Sequence, residues 1–149
     1  KKKLLEDAEI ISNIEELAVK CLESLKDGGK IILAGNGGSF GDAQHISAEF
    51  TSRFLFDREP LASIALATNN SAVTAIGNDY GYEFIFSREL KAIGNKKDIL
   101  GYLIKLEPSN FPMGDRNLQS LLMQKEFLLH KTLRIFGECL VGYLFTTMI

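Results

Sequence analysis

Residues 30–42, Lys30-Ile31-Ile32-Leu33-Ala34-Gly35-Asn36-Gly37-Gly38-Ser39-Phe40-Gly41-Asp42, decide how this chain folds. The apolar run through Ala34 is short, bounded by glycines and free of polar alternation, which is the pattern of a strand covered on both faces. From Asp42 to Phe54, Ala43, Ile46, Phe50 and Phe54 recur at helical intervals, so a helix follows the glycine-rich turn. The same alternation continues downstream. Leu61-Ala62-Ser63-Ile64-Ala65-Leu66-Ala67 and Asp98 to Ile104 read as second and third strands, with helices over Ser71 to Ile76 and Tyr82 to Ile93. Strands that alternate with helices imply a parallel sheet with helices on both faces, an α/β fold.

Upstream, Leu4, Ala8, Ile11, Ala18, Leu22 and Leu25 share one helical face, and Gly28-Gly29 is a stop signal, so a first helix is expected over residues 4–27. Ile14, Leu17 and Cys21 widen its apolar stripe. That width fits a core helix or one shared with a second subunit. Past Ile104 the pattern loosens. Pro108, Asn110, Pro112 and Gly114 mark a loop over Lys105 to Asn117, and Leu118 to Leu144 is helix-like with a ragged stripe.

With 149 residues the chain has the length of one domain. Its 17 Lys+Arg against 19 Asp+Glu leave a net charge of −2, which argues against a module dominated by nucleic-acid phosphate contacts. The two cysteines, Cys21 and Cys139, form neither a disulfide framework nor a zinc pattern, so a reducing compartment is expected. No charge-free apolar run reaches the ~20 residues of a membrane span, and Glu6 and Asp7 interrupt any signal-peptide core after Lys1-Lys2-Lys3. The expectation is a soluble cytoplasmic protein. Because the chain begins without Met, a portion of something longer is expected.

The turn after the first strand carries the most chemistry. Glycines at 35, 37 and 38 permit a sharp backbone turn, and Asn36 tolerates a left-handed conformation. The helix that follows offers unpaired N–H groups to an anionic or polyhydroxy ligand, and Ser39 is the expected N-cap. Phe40 stands where a dinucleotide fingerprint has its last glycine, and no Lys-Ser/Thr follows as in a P-loop. A plain strand-to-helix turn is the alternative. Asp42, His45 and Glu49 are spaced by three and four and share a helix face just beyond this loop. A His and a carboxylate one turn apart suit a divalent metal, an acid–base pair beside a sugar hydroxyl, or a mere surface contact. Gly77-Asn78-Asp79-Tyr80-Gly81 reads as a second polar cluster or as a turn between helices, and Arg53 as a phosphate cation or a partner of Asp57.

Taken together these segments resemble the phosphoheptose isomerases, the sedoheptulose 7-phosphate isomerases of the sugar-isomerase (SIS) superfamily. The resemblance is carried by Ala34-Gly35-Asn36-Gly37-Gly38-Ser39, by Asp42-Ala43-Gln44-His45-Ile46 with Ala48-Glu49-Phe50, and by Ala75-Ile76-Gly77-Asn78-Asp79-Tyr80-Gly81. Ser63-Ile64-Ala65-Leu66 and Phe86-Ser87-Arg88 fit as well. It implies an SIS-type, flavodoxin-like three-layer sandwich and isomerisation of sedoheptulose 7-phosphate to D-glycero-D-manno-heptose 7-phosphate for bacterial surface polysaccharide. It implies Glu49 as the base that moves a proton between C1 and C2, and a zinc ion on His45 and Glu49. Asn36, Gly37, Gly38, Ser39, Glu49, Asn78 and Asp79 are the implied substrate contacts. A cytoplasmic homotetramer with sites between subunits is implied too, with the first helix in the packing.

The resemblance covers residues 1–100. Where the family has a Ser/Thr-rich phosphate loop, this chain reads Leu103-Ile104-Lys105-Leu106-Glu107, and Gln124 and His130 do not match the spacing of the family's late Gln and His. The chain is therefore expected to be a single SIS domain, incomplete or altered past residue 100, that turns over slowly or not at all. Two other readings follow from the tail: a non-catalytic SIS module binding a sugar phosphate or a protein, and a truncated, inactive isomerase product.

Overall fold

In the computed structural model, residues 8–103 are described. The first helix, α1 (Ala8–Lys26), ends at Gly28, whose φ of 79° is the left-handed stop its sequence promised. Then come β1 (Ile31–Gly35), α2 (Gly38–Thr51), β2 (Ser63–Ala65) and α3 (Asn70–Asp79). A single 3₁₀ turn, Tyr82–Phe84, leads into α4 (Ile85–Ile93), and β3 (Ile99–Leu103) follows. The loop and helix-like stretch expected over 105–144 lie outside the described residues.

The three strands are parallel in the order β2-β1-β3, with Ile31 opposite Ser63 on one side and Ile99 on the other. Every residue of β1 is buried, as an uninterrupted apolar run demands of a central strand. Its side chains alternate between two cores. Ile31 and Leu33 pack with Ile14, Leu17, Ala18 and Cys21 of α1 and with Ala43 and Phe50 of α2. Ile32 and Ala34 pack with Leu66, Ile85, Phe86, Leu90 and Leu100 on the opposite face. The expected three layers are therefore present. Among the described residues no helix is long and apolar enough to cross a membrane.

Element ends differ from the sequence reading for local reasons. β2 is shorter than the apolar run because Ala67, at φ 65°, turns the chain out of the sheet, where its N–H donates to the Glu89 carboxylate. α3 starts earlier and runs further than expected. Asn69 caps it by accepting the Ala72 N–H at 3.2 Å, and it continues through Gly77 to Asp79.

At the amino ends of β1 and β3 the sheet is closed by a charge pair. Asp98, with its side chain 2% exposed, accepts the Lys30 N–H at 3.0 Å, the Lys30 ammonium at 2.8 Å and the Asn95 N–H at 2.7 Å. Truncation would leave a partly buried cation and two backbone donors unpaired. Asp98→Ala is expected to lower unfolding free energy by about 3 kcal/mol, and Asp98→Asn by less, in urea titrations. Glu16→Ala, which breaks the exposed Glu16–Lys20 pair, should cost under ~0.5 kcal/mol.

Burial pushes the Cys21 thiol up from 9.0 to about 12. The folded chain thus holds it neutral, and its contribution to stability, full below pH 9, is lost as pH rises toward 12. Peptide mapping after iodoacetamide treatment at pH 8 should find Cys21 unlabelled in the folded protein and labelled in urea.

Candidate functional site

The strand-to-helix turn is built by two glycines with different tasks. A Cβ on Gly35 would stand 2.5 Å from the Ser39 carbonyl oxygen, so the first turn of α2 lies against β1 only because that atom is missing. Gly37 has open space around it but adopts φ 56°, ψ −121°, a conformation that side-chain-bearing residues rarely enter. With Asn36 and Gly37 completing the turn, α2 begins at Gly38, four residues before the periodic pattern indicated. Ser39 is consequently not the N-cap. It lies inside the first turn and donates its N–H to the Asn36 carbonyl at 3.1 Å, while Gly37 caps the helix without any side-chain hydrogen bond.

The chain leaves β1 toward β2 on one side and returns as β3 on the other, so the carboxyl end of β1 is a topological switch point. Open α/β sheets bind ligands in the crevice at such a point. Asn36, Gly37, Gly38 and Ser39 stand there. Asn78 and Asp79 end α3, exposed, with the Asn78 amide donating to the Asp79 carboxylate at 2.9 Å. They are not the inter-helix turn; Tyr80 and Gly81 make it. Tyr82, just beyond, donates its hydroxyl to Asn36 Oδ1 at 2.7 Å and so ties the second polar segment to the glycine turn.

His45 and Glu49 do share a face of α2, with His45 Nε2 3.7 Å from Glu49 Oε1. The imidazole is 73% exposed and the carboxylate 24% exposed. Two donors on one tetrahedral zinc, each ~2.0–2.1 Å from it, would stand about 3.4 Å apart, so this pair suits two corners of such a site. Asp42 does not complete it: no group of three His, Cys, Asp or Glu able to hold a metal occurs among the described residues.

Because α2 starts at Gly38, Glu49 is not one turn past the loop. At 1.5 Å per residue it lies roughly 16 Å along the axis from the helix start. One chain therefore does not bring Glu49 together with Asn36 and Ser39.

Arg58 grips the far end of that helix. Its Nη2 donates to the Glu49 carbonyl at 2.6 Å, and its Nη1 to the Phe50 carbonyl at 3.0 Å and the Glu59 carbonyl at 2.8 Å. The Leu61 N–H also donates to the Phe50 carbonyl, at 3.0 Å. A cation here complements the negative end of the helix dipole. Burial pulls the Arg58 guanidinium below its ordinary value, and the Glu49 charge pushes it back up.

This fold and these motifs find their match in one family, whose sequence profile, described as the SIS domain, covers residues 2–104. The chain belongs to the SIS domain family. Among its relatives, the phosphoheptose isomerase of Burkholderia pseudomallei (strain 1710b) is 54% identical over 100 residues, 66% of this chain and 51% of that one. The phosphoheptose isomerase of Aneurinibacillus thermoaerophilus is 56% identical over 99 residues, 66% of this chain and 50% of that one. The chain thus spans about half the length of the curated relatives it matches. Two solved structures share the SIS fold. That of the Neisseria gonorrhoeae phosphoheptose isomerase aligns at TM-score 0.70 and 24% identity over 99% of this chain and 92% of its own. That of a Francisella tularensis phosphoheptose isomerase aligns at 0.63 and 24% identity over 89% and 81%.

Two residues of this SIS domain escaped the sequence reading. Arg53, the cation it singled out, is exposed beyond the end of α2, whereas Arg58 reaches back to that end. Tyr82 gave no signal at all, because its partner is 46 residues away. Arg58→Ala should lower unfolding free energy by about 2 kcal/mol, the scale of hydrogen bonds to a charged group. Hydrogen exchange should accelerate at the Ser52 amide, which closes the last turn of α2.

Proposed function

We propose that the chain carries the site of an aldose–ketose isomerase that converts sedoheptulose 7-phosphate to D-glycero-D-manno-heptose 7-phosphate, in the cytoplasm, for bacterial surface polysaccharide. The observation that carries this reading is the Glu49–His45 pair on α2, in an SIS chain 54% identical over 100 residues to a phosphoheptose isomerase. Interconverting an aldose and a ketose moves a proton between C1 and C2 through an enediol, which requires a base above those carbons. The partly buried Glu49 carboxylate serves as that base. Asn36, Gly37, Gly38 and Ser39 hold the polyol chain by backbone N–H groups, amide and hydroxyl, and Asn78 and Asp79 contact its remaining hydroxyls. His45 and Glu49 would hold a zinc ion, which when bound supplies charge to steady the enediolate oxygens.

The distance from the glycine turn to Glu49 supports a homo-oligomer, a tetramer in this proposal, in which one copy presents Glu49 to a sugar held by the glycine turn of another. The apolar stripe of α1 packs within the chain, through Ile14, Leu17, Ala18 and Cys21, and Val19, 51% exposed on the same helix, suits the packing between copies.

A second reading, a non-catalytic SIS module, draws on the two-donor metal pair and on the end of the family match at residue 104. An assay of the purified chain with sedoheptulose 7-phosphate and zinc separates the two. Under the isomerase reading turnover is measurable, though below the ~10 per second typical of enzymes, and Glu49→Gln loses at least about 100-fold of it. A folded chain that binds the sugar phosphate without turnover belongs to the second reading.

A further inference from the structure

Tyr82 is 58% exposed, so little packing fixes its ring, and its hydrogen bond to Asn36 spans the gap between the two polar segments of the chain. An asparagine amide is broad about its terminal torsion and exposes a donor or an acceptor with little preference. A phenol has one proton to give. When it gives that proton to Oδ1, it determines which side of the Asn36 amide carries the acceptor and which the donors. We propose that Tyr82 is a positioning residue of the polyol site: its hydroxyl fixes the orientation of the Asn36 amide over the glycine turn and so sets the affinity for a polyhydroxy phosphate. The ligand half of this statement rests on the isomerase reading; the orienting half rests on the 2.7 Å contact alone.

The geometry makes Tyr82 act through Asn36. Asn36 follows the last residue of β1, and its carbonyl accepts the Ser39 N–H, so its backbone is fixed and the Tyr82 hydroxyl bears on its side chain. Tyr80 provides an internal comparison. It is about as exposed as Tyr82, but its ring lies under the Arg88 guanidinium at 3.6 Å. Removing the Tyr80 hydroxyl takes the same atom from the same short stretch of chain.

The test uses the full chain with Tyr82→Phe and Tyr80→Phe, both of which keep the ring and should fold. In ¹⁵N-labelled protein, the Asn36 side-chain NH₂ resonances are expected to shift and to exchange faster with water in Tyr82→Phe, and to stay in place in Tyr80→Phe. Calorimetric titration with sedoheptulose 7-phosphate is expected to give a Kd about three- to tenfold higher in Tyr82→Phe and an unchanged Kd in Tyr80→Phe. Unmoved Asn36 resonances in Tyr82→Phe would overturn the proposal. So would moved resonances with unchanged affinity, since the orientation would then not matter to the ligand. If the wild-type chain does not bind sedoheptulose 7-phosphate, the isomerase reading fails, and the Asn36 resonances still decide whether Tyr82 orients the amide.

Discussion

The close approach of the Ser39 carbonyl to the α-carbon of Gly35 governs the rest of this structure. A methyl group there would push the first turn of α2 off the end of β1. Because the turn is closed so tightly, the direction of α2 is set by the strand itself. Ala43, Ser47 and Phe50 then fall on the sheet side, and His45 and Glu49 on a face open to partners. The positive φ of Gly37 is a secondary requirement that follows from it: once the helix must start against the strand, the chain has two residues in which to reverse.

The two ends of the sheet are built on opposite principles. At the amino end, Asp98 satisfies two backbone amides and a lysine inside a closed corner, a rigid and costly arrangement with no room for a ligand. At the carboxyl end, glycines, exposed amides and one phenol leave polar groups within reach of solvent. Between them the core is held by the alternation of β1 across two apolar clusters, each fully buried aliphatic side chain contributing about 1.5–3 kcal/mol. Rigidity at one end and accessibility at the other is the usual arrangement of an open α/β sheet.

Much of this was legible in the sequence. The apolar run through Ala34 identified a central strand because two-sided burial permits no polar alternation, and the i, i+4 spacing of His45 and Glu49 identified a shared helix face. The start of α2 was misread because Ser39 is a good cap by side-chain chemistry, yet the backbone of Gly37 occupies that position. α3 was cut short because Gly77 and Asn78 are poor helix formers, and here the packing of Val73 and Ile76 on the core outweighs that preference. The separation of Glu49 from the glycine turn was hidden by the same misplaced helix start. Arg58 and Tyr82 were invisible for another reason: each acts on a residue brought near only by the fold, and periodicity carries no information about such contacts. Residues 1–100 carried motifs that named a family; the tail carried none.

The grip of Arg58 on α2 has a consequence for how this chain can change over generations. Three of its hydrogen bonds end on main-chain carbonyls, at Glu49, Phe50 and Glu59. Every amino acid presents that same oxygen, so these bonds survive a change of side chain at position 49, while the charge of Glu49 adds an attraction to the guanidinium that a neutral residue would lack. A neutral residue there would keep the main-chain grip and give up the attraction between carboxylate and guanidinium. The main-chain part of this fastening is thereby inherited independently of the side chain at position 49, and the electrostatic part is not.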